Sequence, residues 1–361
     1  MIFQHRMRFY FVVALALLGP LFLVSCDERK RSGWDEDPVV ISVEVDSLVP
    51  VNVDSLSTRV VLPEMVSSVD DILLVGRDSM IIKAGNQLVS LYGSPQPTAS
   101  RISNVGRGPQ EYISLWDFGV KEDTLFLYDI DQKRLLFYSL GADFIRTVSL
   151  SHFSQDRPFQ SLAPLGNHHF VGKRVFGMPE TPELSLYDAA GEYECEIPFS
   201  NLRSGIRLWR QFFPGADEDV LYAPYFSNSI FRISGRGEAT AKYRIDFGKH
   251  SLSEKTWNDE YEAIDRLNAD ADKYATMVSN IRETHDVLSF QFAFKAQRCL
   301  CIFDRKTGEI HAYRFYSSSG KEIEQIIYDG KRILVFWREG DVLRESMMPV
   351  WHADSETRRL L

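Results

Sequence analysis

Cysteine is scarce, with four in 361 residues, and two of the four sit one residue apart as Cys299 and Cys301 in "RCLCIFD". On a strand such positions point to one face, and a disulfide between them would be strained. Buried free thiols are therefore expected of Cys195, Cys299 and Cys301. A zinc site would need further Cys or His ligands at suitable spacing, and none is present. Basic runs are missing after the first 31 residues, and the formal charge is -9. That balance excludes a phosphate-neutralising surface, so no nucleic-acid partner is expected. Neither H-E-x-x-H nor G-x-S-x-G occurs, which removes the common zinc-protease and hydrolase-elbow signals. The pair His168 and His169 would point to opposite faces of a strand, wrong for joint chelation. "NADADKY" alternates Asn268, Asp270 and Asp272 as calcium loops do, but offers Lys273 for the required glycine and Ser279 for the bidentate glutamate. It reads as an acidic, solvated segment. No catalytic residue, cofactor or metal is called for.

Long apolar runs are also missing, with one informative near-exception. "MIFQHRMRFY" supplies Arg6 and Arg8, "FVVALALLGPLFLV" a short interrupted apolar stretch, and "LVSC" its end. This is the grammar of an export signal, too short for a confident span. Leu23-Val24-Ser25-Cys26 looks like a bacterial lipobox, in which Cys26 receives diacylglycerol before cleavage on its N-terminal side. The expected organisation is a lipoprotein signal peptide at 1–25 and a charged flexible tether at 26–40. A folded domain at 41–350 and a tail at 351–361 follow.

What is abundant is strand grammar. Residues 115–150, "LWDFGVKEDTLFLYDIDQKRLLFYSLGADFIRTVSL", contain four apolar runs separated by "KED", "DQK" and "GAD", the composition of tight hairpin turns. Similar four-strand units begin near residues 69, 115, 159, 208, 278 and 322. The steps fall between 44 and 49 residues, except for one of 70. The long step contains 253–274, where Trp257, Tyr261, Ile264 and Leu267 recur at helical spacing; without it the step is 48. This repeat predicts an all-β fold, a six-bladed β-propeller with four antiparallel strands per blade and a short helical insert before blade five. "VVISVEVDSL" (39–48) and "RVVLPEM" (59–65) precede the first unit, and one of them is expected to complete the last blade and close the ring.

Three phrases then carry a resemblance: "ISNVGRGPQEY", "LFLYDIDQKRLLFYSLGADFIRTVSL" and "LYAPYFSNSIFRISGRGEATAKYRIDFGK". Over roughly residues 60–340 the chain resembles the lipid-anchored, NHL-like six-bladed β-propeller proteins of Bacteroidetes. Gly106, Gly108, Pro109, Glu111 and Tyr112 match the family's corner, while Gln110 stands where a second glycine is usual. The resemblance implies a propeller at the cell envelope, on the outer membrane, with the periplasmic or surface face left open. It implies no biochemical activity.

The corner "NVGRGPQEY" enters the second unit, so it is expected at a channel rim. Structurally, Gly106 and Gly108 permit a tight turn that Pro109 directs, and Glu111 accepts from turn N–H groups or from Arg107. Functionally, Arg107, Glu111 and Tyr112 face a ligand. Further rim candidates from first strands are Trp116, Asp117, Gln160, Arg210, Arg282, Glu283 and His285. Two functions follow. One is a lipid-anchored, non-catalytic binding or scaffold module for a protein, peptide or glycan. The other is a lactonase- or lyase-like enzyme holding a divalent metal at the channel mouth, which needs Glu111, Asp117 and Glu283 to converge.

Overall fold

The computed structural model describes residues 37–349, apart from 57, 63–65, 67, 76–78, 93–97, 151–158, 167–168, 175–183, 199–209, 218, 252–259, 271 and 340–341. The signal, Cys26, most of the tether, His168 and the tail lie outside the described residues. Three short strands lead: β1 (Val39–Ser42), β2 (Val49–Asn52) and β3 (Thr58–Val61). Sheet one is β4 (Asp71–Leu74), β5 (Ser79–Ala84), β6 (Gln87–Tyr92) and β7 (Thr98–Arg101). Sheet two is β8 (Leu115–Lys121), β9 (Thr124–Asp129), β10 (Arg134–Ser139) and β11 (Phe144–Ser149). Sheet three is β12 (Phe159–Leu165), β13 (His169–Arg174), β14 (Leu184–Asp188) and β15 (Tyr193–Ile197). Sheet four holds β16 (Phe212–Pro214), β17 (Val220–Tyr222), β18 (Ser229–Ile233) and β19 (Ala239–Asp246). Sheet five holds β20 (Thr276–Glu283), β21 (Val287–Phe294), β22 (Gln297–Asp304) and β23 (Ile310–Tyr316). Sheet six holds β24 (Glu322–Tyr328), β25 (Arg332–Glu339) and β26 (Val342–Pro349).

Each sheet is an antiparallel meander, and its middle strands are buried on both faces, as in Leu125–Asp129 of β9. Such strands need a neighbour on each flank. Phe126 and Tyr128 of sheet two pack with Phe159 and Phe170 of sheet three. Leu334 and Phe336 of sheet six pack with Ile72 and Ile82 of sheet one. The other clusters join sheets one to two, three to four, four to five and five to six. Every large side chain hidden this way, such as Trp337, contributes about 1.5–3 kcal/mol. The turns match their sequences: Glu122, Lys133 and Ala142, all with positive φ, close the three hairpins of sheet two.

The N-terminal segment binds three sheets in succession. β3 pairs antiparallel with β26, Arg344 opposite Val61, so the 59–65 stretch completes sheet six. The 39–48 stretch has a different home. β1 lies parallel on β19 and β2 parallel on β23. Sheets four and five therefore carry five strands, which corrects the expectation of four everywhere. The physical reason is that β19 and β23 are outer edges with unpaired backbone groups, and the alternation that buries Ile41 and Val43 suits an edge strand.

The helical stretch forms α1 (Glu260–Ala269), where Ile264 and Leu267, with Tyr274, pack against Tyr225 and Phe226. Trp257 lies outside the described residues. Asp270, in the candidate calcium stretch, pairs with Lys273 at 2.6 Å. Cys195, Cys299 and Cys301 are free thiols; the last two are buried in one cluster. Burial pushes Cys299 up to about 12 and Cys301 higher still.

Candidate functional site

The corner is built around one carboxylate. Glu111 accepts from the Gly108 N–H at 2.8 Å, and a Cβ on Gly106 would come within 2.1 Å of the Glu111 Oε2. The glycines make room for an acid that caps its own turn. The outer carbonyls are taken from below. Arg134 donates to Gly108 O at 2.8 Å and to Glu111 O, Tyr138 donates to Gln110 O, and Thr147 to Pro109 O at 3.3 Å. Arg134 and Tyr138 belong to β10 and Thr147 to β11, the outer strands of sheet two. These bonds seat the corner with Arg107, Glu111 and Tyr112, part of the connection from β7 to β8, against β10 and β11. Tyr112 is fully buried, donates to Asn86 O at 3.0 Å, and burial raises its phenol to about 12. Arg107 is exposed on the turn.

Four of the remaining candidates tie sheets together or lie outside the axis. Asp117 is buried and accepts from Ser161 Oγ at 2.8 Å and Leu162 N at 3.0 Å, joining β8 to β12. Trp116 donates to the Gln160 carbonyl at 3.0 Å across the same seam. Glu283 accepts from Tyr243 Oη, from Lys242 Nζ at 2.9 Å and from Ala216 N at 2.9 Å. Burial opposes its charge, but the Tyr243 and Lys242 bonds prevail and hold its carboxyl below the ordinary range. Its neighbour on Lys242, Asp219, is pushed upward by burial. His285 is exposed, 3.9 Å from Asp217. Glu111 caps its own turn while Asp117 and Glu283 serve two different seams, so the three do not converge, and strand alternation turns Asp117 and Glu283 each toward a neighbouring sheet. Among the described residues no group of three or more His, Cys, Asp or Glu is arranged to hold a metal.

Arg282 donates to Tyr328 O at 3.0 Å and lines a cavity of about 350 Å3 between sheets five and six.

Arg210 behaves differently. It precedes β16 of sheet four, yet its Nε and Nη2 reach Asp71 of β4 in sheet one, both at 2.8 Å. Those sheets are three places apart in either direction around the cluster sequence, so this ion pair crosses the middle. The guanidinium also lies over the Phe118 ring at 4.4 Å. Apolar stacking and a carboxylate together hold the cation where water is scarce.

Arg210 and Asp71 also form the floor of a cavity of about 510 Å3 at the leading end, where the first strands begin. Its wall is β20, and β20 is irregular. Its register against β21 shifts twice, between Thr276 and Ser279 and between Ser279 and Arg282. At these bulges Met277 and Asn280 have φ of 63° and 46°. Left-handed non-glycine residues at bulges are held in place only where surrounding structure enforces them, and they mark sites that re-aim side chains. Asn280 Nδ2 donates to Gln325 Oε1 at 2.6 Å, and Gln325 in turn donates to Asp70 O at 3.3 Å. Gln291, Arg298, Glu322 and Glu324 are also among the polar lining, and Met277 is exposed. Of the sequence candidates this mouth contains Arg210 alone. Asp71, Met277, Asn280, Arg298 and Gln325 had no motif to announce them; the one available signal was a strand run, "TMVSNIRE", interrupted by an asparagine.

Sheets that flank one another in series around a central ion pair define an all-β β-propeller. Residues 99–347 match the family described as Domain of unknown function (DUF4934), and the chain belongs to that family. No curated protein matches it. Among solved structures it is similar to a candidate exported protein from Bacteroides fragilis NCTC 9343, with 13% identity and a TM-score of 0.61 over 87% of this chain and 100% of that one. A member of the duf4221 family from Bacteroides vulgatus ATCC 8482 shows 10% identity and a TM-score of 0.54, over 82% and 98%. Virginiamycin B lyase from Staphylococcus aureus follows at 11% identity and a TM-score of 0.48, over 81% and 98%. At such identities the likeness is one of fold.

Proposed function

We propose that this chain is a six-bladed propeller, lipid-anchored through Cys26 at the cell envelope, that binds a peptide or glycan segment at its leading mouth without transforming it. The count of six is supported by the six sheets and the six clusters that link them in a closed series. The observation that carries the binding reading is the strained pair Met277 and Asn280, bulged into a polar cavity floored by Arg210–Asp71. Amide side chains beside an exposed thioether suit a neutral hydrogen-bonding chain with small apolar faces. The metal-enzyme reading loses its motivation, because Glu111 is engaged in its own turn and Asp117 and Glu283 in separate seams.

The test is capture on peptide and oligosaccharide arrays by the purified propeller. An Asn280→Ala, Gln325→Ala variant should lose about tenfold or more in affinity, and His285→Ala none. Binding lost with His285→Ala alone, or conversion of a captured compound, would overturn the reading. For the anchor, Cys26→Ala should release the protein from the membrane fraction; retention would contradict it.

A further inference from the structure

The N-terminal segment presents one side chain as though it were a ligand. Asp54 follows β2, and the loop Ser317–Lys321, between β23 and β24, encloses its carboxylate. Oδ2 accepts from the backbone N–H groups of Ser318 at 2.8 Å and Ser319 at 2.9 Å, and from Ser318 Oγ at 2.8 Å. Oδ1 accepts from Ser319 Oγ at 2.8 Å and pairs with Lys321 Nζ at 2.7 Å. Ser317 Oγ reaches both oxygens, at 3.3 and 3.2 Å. The Lys321 ammonium lies over the Trp337 ring at 4.2 Å and its side chain is 6% exposed. Gly320, at φ 79°, supplies the left-handed residue that turns the loop.

Successive backbone N–H groups converging on one anion form a nest, and hydroxyls with a cation complete what proteins build for carboxylates and phosphates. A turn or a cap uses one or two such donors. Here two N–H groups, three hydroxyls and an ammonium serve a single carboxylate more than 260 residues away in the chain. A second, weaker hold lies upstream, where exposed Asp46 meets Lys249 at 2.7 Å and His250 at 3.2 Å. Around these points the segment lies parallel on the β19 and β23 edges and buries Val45, Leu48, Val51 and Val53 in the clusters of sheets four to six.

We propose that the Ser317–Lys321 loop is an anion-binding site whose occupant is Asp54, so that the N-terminal strap is held as an internal ligand. Withdrawal of the strap opens the loop to a carboxylate or phosphate group from elsewhere. Tethering presents Asp54 to the loop at an effective concentration of about millimolar or above, so dilute anions do not displace it from the intact chain. Removing the carboxylate uncovers the site. This inference stands apart from the leading-mouth reading.

The experiment uses the full chain and its Asp54→Ala and Asp54→Ser variants, with inorganic phosphate and acetate as probes, followed by titration calorimetry and hydrogen exchange. Wild type should bind neither probe at millimolar concentration. Asp54→Ala should bind at least one, about tenfold or more tighter than wild type, and Lys321→Met in that background should abolish binding. Phosphate binding without acetate binding identifies a phosphate site, and the reverse a carboxylate site. Amides of Val49–Asn52 should exchange about tenfold faster in Asp54→Ala while those of β22 stay protected. Should Asp54→Ala fail to fold, Asp54→Ser, whose shorter side chain also leaves the places of the carboxylate oxygens empty, carries the same comparisons. A folded variant that takes neither anion, or one that binds them no better than wild type, overturns the proposal.

Discussion

Replacing Gly106 by alanine puts a methyl group where Glu111 keeps its carboxylate. The added carbon would lie 2.1 Å from Oε2 and 2.7 Å from Cδ, so the acid must leave. With it goes the 2.8 Å bond from the Gly108 N–H, a charge-assisted bond of about 1.5–3 kcal/mol. Gly106 is not among the residues with positive φ, so alanine brings no backbone penalty of its own. Gly106→Ala should therefore cost about 2 kcal/mol, and Glu111→Ala, which removes the same bond, about as much. In the double variant the methyl group fits the space the carboxylate vacated. The combined loss should stay near 2 kcal/mol where independent effects would give about 4, a coupling of about 2 kcal/mol. Urea unfolding midpoints of the four proteins measure this directly. Additive losses would refute the argument that the glycine exists to seat Glu111.

Glu283→Gln should cost about 3 kcal/mol at pH 7, because Lys242 loses its nearest anion inside the seam between sheets four and five. Its folded-state carboxyl is held low, so its stabilisation is full above the unfolded value of about 4.3 and is lost as pH falls through the lower folded value. Urea midpoints from pH 7 to 3 should fall more steeply in wild type than in Glu283→Gln, and parallel curves would contradict the assignment. Folded protein at pH 7 should protect Cys299 and Cys301 from maleimide until urea unfolds it, read by peptide mass spectrometry; rapid native labelling would show that the thiols are not buried. Met277→Gly should raise stability by about 1 kcal/mol by relieving a left-handed backbone, while weakening capture at the mouth. A stability loss there would mean that the bulge carries no strain.

The repeat was legible because local chemistry repeats. Runs such as "TLFLYD" and "RLLFYS" are buried on both faces, and turns such as "KED" and "DQK" place Glu122 and Lys133 at positive φ. That one of the two leading stretches completes the last sheet follows from having strands left over, but the sequence does not say which, and nothing in "VVIS" or "VPVN" distinguishes a parallel edge strand from an antiparallel one. The candidate site was much less legible. Arg210 and Asp71 meet from opposite parts of the chain, and Asp54 finds its loop across an even longer separation. Periodicity says nothing about such partners. Their position on first strands implies that Glu283 and Asp117 line the channel. Their alternation aims them instead at the flanks of neighbouring sheets, where buried carboxylates are satisfied by hydroxyls, N–H groups and lysine. β20 looked like a continuous strand, since a bulge leaves the apolar pattern nearly intact.

The leading mouth can be tested most directly by hydrogen exchange on the propeller saturated with the best array-captured peptide or oligosaccharide. Protection gathered at 277–280 and 322–325, and reduced by Asn280→Ala, is the outcome expected of a binding site there. Protection confined to 282–287 and 328–330, at the opposite ends of the same strands, would contradict it.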